Sequence, residues 1–280
     1  MRSVYLSMLV VLFLGASHTP VIAQDSDGEY IRTHYTKREE YIPMRDGKRL
    51  FTILYAPRDT SQRYPILLMR TPYGIGPYGE DTYKSRIGPN MMFAREGYIF
   101  AYQDVRGKRM SEGDFVAVRP HNPNKFSDQE IDESSDTYDT IEWLINNVGN
   151  NNGRIGTWGI SAPGFYTTHT IIDAHPALKA ASPQAPVTDW FLGDDRHHNG
   201  AFMLQASFSF VSSYGAVRPV PTPNGTPGFN DYGTPDGYKW YLDVGPISNI
   251  NKRYLKGENP LWNAMIDHGT YDGWWQARTP

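Results

Sequence analysis

The stretch Arg154-Ile155-Gly156-Thr157-Trp158-Gly159-Ile160-Ser161-Ala162-Pro163-Gly164-Phe165 decides the fold. Its first part, Arg154 to Trp158, reads as a short strand, and Phe165 to Ala174 reads as a helix. Between them stands Gly159-Ile160-Ser161-Ala162-Pro163-Gly164, a serine on a sharp strand-to-helix turn. Such a turn exposes a hydroxyl as a nucleophile, while the N–H groups opening the helix face the place where an oxyanion would form. The turn is strained, and a Cβ on either flank would clash, which accounts for the two glycines. The spacing is G-x-S-x-x-G, one residue longer than the common G-x-S-x-G. Ser-Gly-Pro clusters are also ordinary turns, so the flanking elements carry the weight.

Outward from the turn, strands and helices alternate. Tyr35 to Ile42 and Lys48 to Tyr55 flank Met44-Arg45-Asp46-Gly47 and read as a hairpin. The apolar runs Tyr64 to Arg70 and Tyr98 to Asp104 read as buried strands, with a short helix over 90–96 between them. Glu133 to Val148 reads as a helix: Ser134 or Ser135 caps it, acids crowd its start, and Ile141, Leu144, Ile145 and Val148 share one face. Gly149 stands just past its end. Leu178 to Ala185 reads as the next strand. This order predicts an α/β fold, a mostly parallel sheet with helices on both faces, and places Ser161 at the carboxyl end of a strand, where open sheets bind ligands.

From Pro186 the pattern changes. Val187 to Phe210 is aromatic-rich and reads as helical, Tyr214 to Tyr238 as a long irregular insertion, and Lys239 to Tyr241 and Leu261 to Ile266 as short helical pieces. The expected organisation is therefore a leader over 1–23, the N-terminal part of the sheet domain over 24–186 and a mainly helical cap over 187–280. The leader is read from Arg2, the apolar run Tyr5 to Gly15 and Val21-Ile22-Ala23, a signal-peptide pattern that predicts a secreted or periplasmic protein with about ten flexible residues after it. That run is too short for a membrane span, so no membrane role is expected once it is removed. A formal charge of −3 gives no basic surface for nucleic acid. Without cysteine there are no disulfides or thiolate metal sites, and His197-His198, adjacent in sequence, makes a poor metal pair, so neither metal nor cofactor is expected. A homo-oligomer stays open.

Several segments together resemble the cocaine-esterase-like (CocE/NonD) serine hydrolases, and within them the α-amino acid ester hydrolases and glutaryl-cephalosporin acylases. They are Met44-Arg45-Asp46-Gly47, Arg70-Thr71-Pro72-Tyr73, Asp104-Val105-Arg106-Gly107, Trp158-Gly159-Ile160-Ser161, Ser182-Pro183-Gln184-Ala185-Pro186, and Gly193-Asp194-Asp195 with His197-His198-Asn199-Gly200-Ala201-Phe202. They occur in the family's order over roughly residues 35–280. The resemblance implies an α/β-hydrolase fold with an inserted cap, Ser161 as acyl-accepting nucleophile, and an oxyanion hole made by the Tyr73 hydroxyl and the Ala162 N–H. It also implies Asp195 as a carboxylate for a substrate ammonium, with Asp194 an equal candidate. The family usually carries Tyr where this chain has Ala162, which alters a pocket wall but not a backbone donor. Its catalytic Asp and His follow the cap, so the resemblance implies that they lie beyond Pro280, along with the rest of the family architecture. Within the chain, Asp243 or Asp267 followed by His268 has the right order but poor geometry, and His169 and His175 should face elsewhere. The activity implied is cleavage of α-amino acid esters or β-lactam side-chain amides. Release of Xaa-Pro dipeptides is the sister activity, and a non-catalytic binding protein is the alternative if the short form is natural.

Overall fold

The structure, a computed structural model, describes residues 26–193 and 195–280. The expected leader over 1–23 and Asp194 lie outside those residues. The first element departs from expectation. The stretch read as flexible holds helix α1 (Asp27–His34), capped by the Ser26 hydroxyl, with Ile31 buried against the sheet. Its polar composition hides a helix that docks through Ile31 and Tyr30 and through ion pairs from Asp27 to Arg86 and Arg95.

Strands β1 (Tyr35–Pro43) and β2 (Arg49–Pro57) form the expected hairpin, closed by Gly47 at φ 80°. Then come β3 (Tyr64–Thr71), α2 (Met91–Arg95), β4 (Ile99–Asp104), α3 (Glu133–Asn147), β5 (Asn151–Ile160), α4 (Ala162–Ile172) and β6 (Leu178–Gln184). The sheet order is β1-β2-β4-β3-β5-β6, antiparallel at β1-β2 and β2-β4 and parallel across β4-β3-β5-β6. Period-2 alternation divides β3 between two cores. Ile66 and Leu68 join Ile141 and Leu144 of α3 on one face, while Leu67 and Met69 join Met91 and Ala94 of α2 and Ile31 of α1 on the other.

Two details of α3 correct the sequence reading. Its cap is Asp132, not Ser134 or Ser135. The Asp132 carboxylate accepts from the Ser135 N–H, and the Ser135 hydroxyl answers to the Asp132 backbone, a capping box. The left-handed residue after the helix is Asn150 (φ 56°) rather than Gly149, because the helix gives way to extended backbone at Val148 before the chain turns.

After β6 the chain leaves the sheet. Val187 to Phe210 is not one helix. It runs through turns and a two-residue ribbon, β7 (His197–His198) with β8 (Ala201–Phe202), before helix α5 (Leu204–Tyr214) begins. The aromatics that suggested a helix serve a compact turn packing instead: Phe191 stacks on His197 at 4.1 Å and meets Trp275 at 5.3 Å. No helix or strand is assigned over 215–236. Helices α6 (Gly237–Val244), α7 (Ser248–Ile250, running into a single π turn over Asn251–Leu255), α8 (Pro260–Asp267) and α9 (Gly273–Gln276) complete the layer. Its core is aromatic, Phe208 stacking on Trp240 at 5.5 Å and meeting Trp262 edge-on at 5.7 Å. That cluster is continuous with Ala162, Phe165 and Tyr166 of α4, so the cap packs on the helix that follows Ser161. Among the described residues no helix is long and apolar enough to cross a membrane.

Candidate active site

In parallel strands, residues in register reach the same edge together. Thr71 pairs with Asp104, and Ile160 with Gln184, while β3 and β5 pair Leu68 with Thr157. Thr71, Asp104, Ile160 and Gln184 therefore end at one level, and the loops carrying Tyr73 and Ser161 leave neighbouring strands about 5 Å apart. The connection from β3 runs to β4 on one side, and the chain returns past β3 to β5 on the other. These two strands flank the point where the order reverses, the ligand crevice of an open sheet.

Ser161 is exposed and sits at φ 64°, ψ −122°, a conformation costing on the order of 1–3 kcal/mol for a non-glycine residue. The surroundings hold it there. Its N–H donates to the Gln184 carbonyl at 3.0 Å, and its carbonyl accepts from Phe165 at 3.0 Å and Val187 at 3.3 Å. A Cβ on Gly159 would lie 2.3 Å from the Pro163 carbonyl oxygen, and one on Gly164 2.8 Å from the Gln184 carbonyl oxygen. Both glycines are thus fixed by close backbone approach rather than by an unusual φ. Ala162 opens α4, so its N–H has no acceptor one turn back. Pro163 has no N–H, which leaves Ala162 the first donor at that end.

Tyr73 lies half-exposed in the loop after β3. Its carbonyl accepts from Arg109 Nη2 at 2.7 Å, its N–H donates to Thr71 Oγ1 at 3.2 Å, and its ring stands 6.1 Å from that of Tyr214. Burial raises its phenol pKa, the Asp195 charge raises it further and Arg196 opposes, so the hydroxyl stays a donor. Tyr73 and Asp195, predicted separately, are thereby within electrostatic reach of each other. Asp195 is exposed and pairs with Arg196 at 3.2 Å. Arg196 is itself buried over the rings of Trp190 and Phe210.

Beneath this edge lies an ion network that the sequence did not reveal. Arg70 pairs with Glu133 at 3.2 Å and donates to Thr137 and Gln103. Arg106 pairs with Asp136 at 2.6 Å and with Asp46 at 2.7 Å. The Arg-Asp-Gly turn, the Arg-Thr-Pro-Tyr strand end and the Asp-Val-Arg-Gly loop are thus clamped to the start of α3. Asp104, fully buried at the end of β4, accepts from Tyr78 Oη at 3.0 Å and the Met110 N–H at 3.3 Å. Burial pushes its carboxyl up to about 7 against those bonds.

The histidines stand apart from Ser161. Eight residues along α4 place His169 about 12 Å up the helix axis. It is buried against Phe165, and burial holds its pKa down to about 4. His175 bonds Glu142 at 2.8 Å at the opposite end of the sheet. His268 turns to Asp272 at 2.6 Å rather than to Asp267, and Asp243 takes up Lys239. Among the described residues, no side chain hydrogen-bonds Ser161 Oγ. His197, buried, and His198, exposed, point to opposite sides of a strand. A second group was missed. His121, Asp132 and Asp173 converge with metal-like spacing, but Lys125 Nζ sits between the two carboxylates at 2.8 Å from each, so an ammonium fills the cation position.

The sequence model of the X-Pro dipeptidyl-peptidase (S15) family matches residues 46–280. The chain belongs to that family. Among its relatives, cocaine esterase of Rhodococcus sp. (strain MB1 Bresler) is 29% identical over 174 residues, covering 62% of this chain and 28% of the esterase. An aminopeptidase from the marine sediment archaeon Thaumarchaeota archaeon is 34% identical with a TM-score of 0.74, covering 88% of this chain and 40% of that one. An α-amino acid ester hydrolase is 31% identical, again with a TM-score of 0.74, covering 97% and 43%. The S15 chain described here therefore spans less than half the length of these relatives. The CocE/NonD resemblance and the α/β-hydrolase type of fold read from the sequence agree with these matches.

Proposed function

We propose that the chain is the nucleophile-bearing part of a secreted or periplasmic serine hydrolase that cleaves ester or amide bonds through an acyl-enzyme on Ser161. The observation that carries this reading is the Ser161 turn: an exposed hydroxyl, held at positive φ by three backbone hydrogen bonds and two glycine approaches, beside the free N–H of Ala162. Strain maintained at such cost marks a site whose geometry is used. In this reading Ser161 Oγ attacks the acyl carbonyl, and the Tyr73 hydroxyl and Ala162 N–H hold the oxyanion. A His and an Asp beyond Pro280 act as general base and its orienter, and water or an amine then releases the acyl group. Asp195, exposed and within electrostatic reach of Tyr73, draws a substrate ammonium, which favours α-amino acid esters or β-lactam side-chain amides.

The match to the X-Pro dipeptidyl-peptidase family and the aminopeptidase relative support a second reading, in which the same ammonium clamp holds a peptide N-terminus and Ser161 releases an Xaa-Pro dipeptide. A glycine-type amino ester assayed against an Xaa-Pro nitroanilide separates the two. The shared mechanism is tested on the protein purified from its native source, by intact mass and fluorophosphonate labelling. A mass well above 31.8 kDa and an adduct mapped to Ser161 are expected. A folded protein that takes up no label refutes the serine mechanism.

A further inference from the structure

Beside Tyr73 a hollow of about 110 Å³ opens between the loop after β4, the end of α5 and the irregular segment. Three cations line it: Lys108, Arg109 and Arg218. Every hydrogen-bond acceptor they have among the described residues is a neutral backbone carbonyl. Lys108 Nζ donates to Tyr214 O, Arg109 to Tyr73 O and Pro223 O, and Arg218 to Arg109 O and Ser111 O. Arg218 Nε is buried with no partner. Lys108 is nine-tenths buried, its ammonium 3.9 Å from the Phe115 ring centre. Burial, then Arg218 and Arg109, hold its pKa down to about 8. The acid that faces Arg109 and Arg218 is Asp104, itself pushed up to about 7, which makes it a weak counter-charge. Buried like charges with only a weak counter-charge are costly, and a Cβ at Gly74 or Gly225 would stand 3.0 Å from the Arg109 guanidinium. Lys108 is built into the wall, and Arg109 and Arg218 are partly buried in it.

We propose that this hollow is a substrate subsite for a carboxylate on a short stem. Its volume admits a carboxylate and a few carbons, and its flanks of Tyr214 and Phe210 suit an apolar stem. Because Tyr73 lines the hollow, and resting on the hydrolase reading above, the preferred substrate carries its scissile carbonyl at Tyr73 and its carboxylate toward Lys108, Arg109 and Arg218.

The test is equilibrium titration of the protein with hippurate, with methyl hippurate and with inorganic phosphate. Ser161→Ala, which cannot turn over the ester, is expected to bind hippurate at least about tenfold more tightly than its methyl ester, the worth of one charge-assisted contact, and phosphate is expected not to displace it at equal concentration. The variants below are made in the same background. Asn224→Asp, at an exposed position of the wall, adds a negative charge without changing shape. It should abolish the preference while leaving methyl hippurate binding unchanged, and Arg218→Gln should do the same. Equal binding of hippurate and its ester, indifference to Asn224→Asp, or displacement by phosphate overturns the proposal. Hippurate preference, with a wild-type protein that takes no fluorophosphonate at Ser161, would keep the subsite and overturn the hydrolase reading alone.

Discussion

Gly159→Ala tests whether close approach, rather than backbone freedom, makes the serine turn. Gly159 does not have a positive φ, so alanine meets no intrinsic strain there. The added methyl would stand 2.3 Å from the Pro163 carbonyl oxygen, 2.4 Å from its carbon and 2.7 Å from its Cβ. All three belong to a rigid ring or to the backbone of the first turn of α4, so relief requires that turn to withdraw by roughly 1 Å to reach ordinary contact. Overpacking of this kind costs about 1–3 kcal/mol, and a displacement near 1 Å at the reacting group costs about 100-fold in rate. Gly156→Ala is the control on the same strand. Its methyl meets the flexible end of Leu67 at 3.0 Å, which turns aside. Expected for Gly159→Ala is a melting temperature lowered by several degrees and fluorophosphonate labelling of the native protein slowed about 100-fold, with Gly156→Ala near wild type in both. Equal labelling rates for the two variants would refute the argument that Gly159 positions Ser161.

Tyr73→Phe removes one oxyanion donor and should lower kcat about 100- to 1000-fold with little change in KM, whereas Ala162→Gly, which keeps the backbone donor, should change kcat far less; steady-state kinetics on an amino ester reads both. Ser161→Gly should abolish labelling yet raise the melting temperature, because glycine relieves a strain of about 1 kcal/mol or more; a lowered melting temperature would contradict the strained geometry. Asp136→Ala leaves Arg106 and Arg70 short of a counter-charge and should cost about 3–5 kcal/mol in urea unfolding. Asp104 is raised in the folded state to about 7 from an unfolded value near 3.9. The native protein therefore holds a proton that the unfolded chain has lost, and stability falls as pH rises from about 4 to about 7, by up to roughly 4 kcal/mol. Asp104→Asn should flatten that slope in unfolding curves taken across the window.

Legibility in the sequence followed the range of the interactions. The hairpin around Asp46-Gly47, the buried strands β3 and β4 and the face of α3 were readable because period and turn chemistry act over a few residues. The α3 cap was misplaced because Asp132, Ser134 and Ser135 are all competent caps, and what chose Asp132 were distant partners, Asn122 and Lys125. Helix α1 has no apolar period to read, because Ile31 and Tyr30 alone of its residues meet the core and its ion pairs to Arg86 and Arg95 are distant in sequence. The Val187 to Phe210 segment was misread because its aromatics answer to Trp275 and Trp262, more than 50 residues away. Ser161, Ala162 and Tyr73 are candidates named from motif and resemblance, and the register of β3 and β5 brings their loops to one edge. The cationic hollow had no local signal, since Arg218 lies in a stretch without period and meets Lys108 and Arg109 only in the fold.

The Ser161 conformation also bears on the history of such a chain. A glycine there would relax the turn. A copy freed from selection on chemistry would gain stability by that change and keep every contact of the core. Selection on stability alone would therefore favour glycine at position 161, and a serine that persists there only in lineages that keep the reaction is what use of its hydroxyl predicts. Sequencing across related lineages reads this directly: copies that have lost the reaction should be enriched in glycine at this one position, while Gly159 and Gly164, which serve packing, persist in both groups.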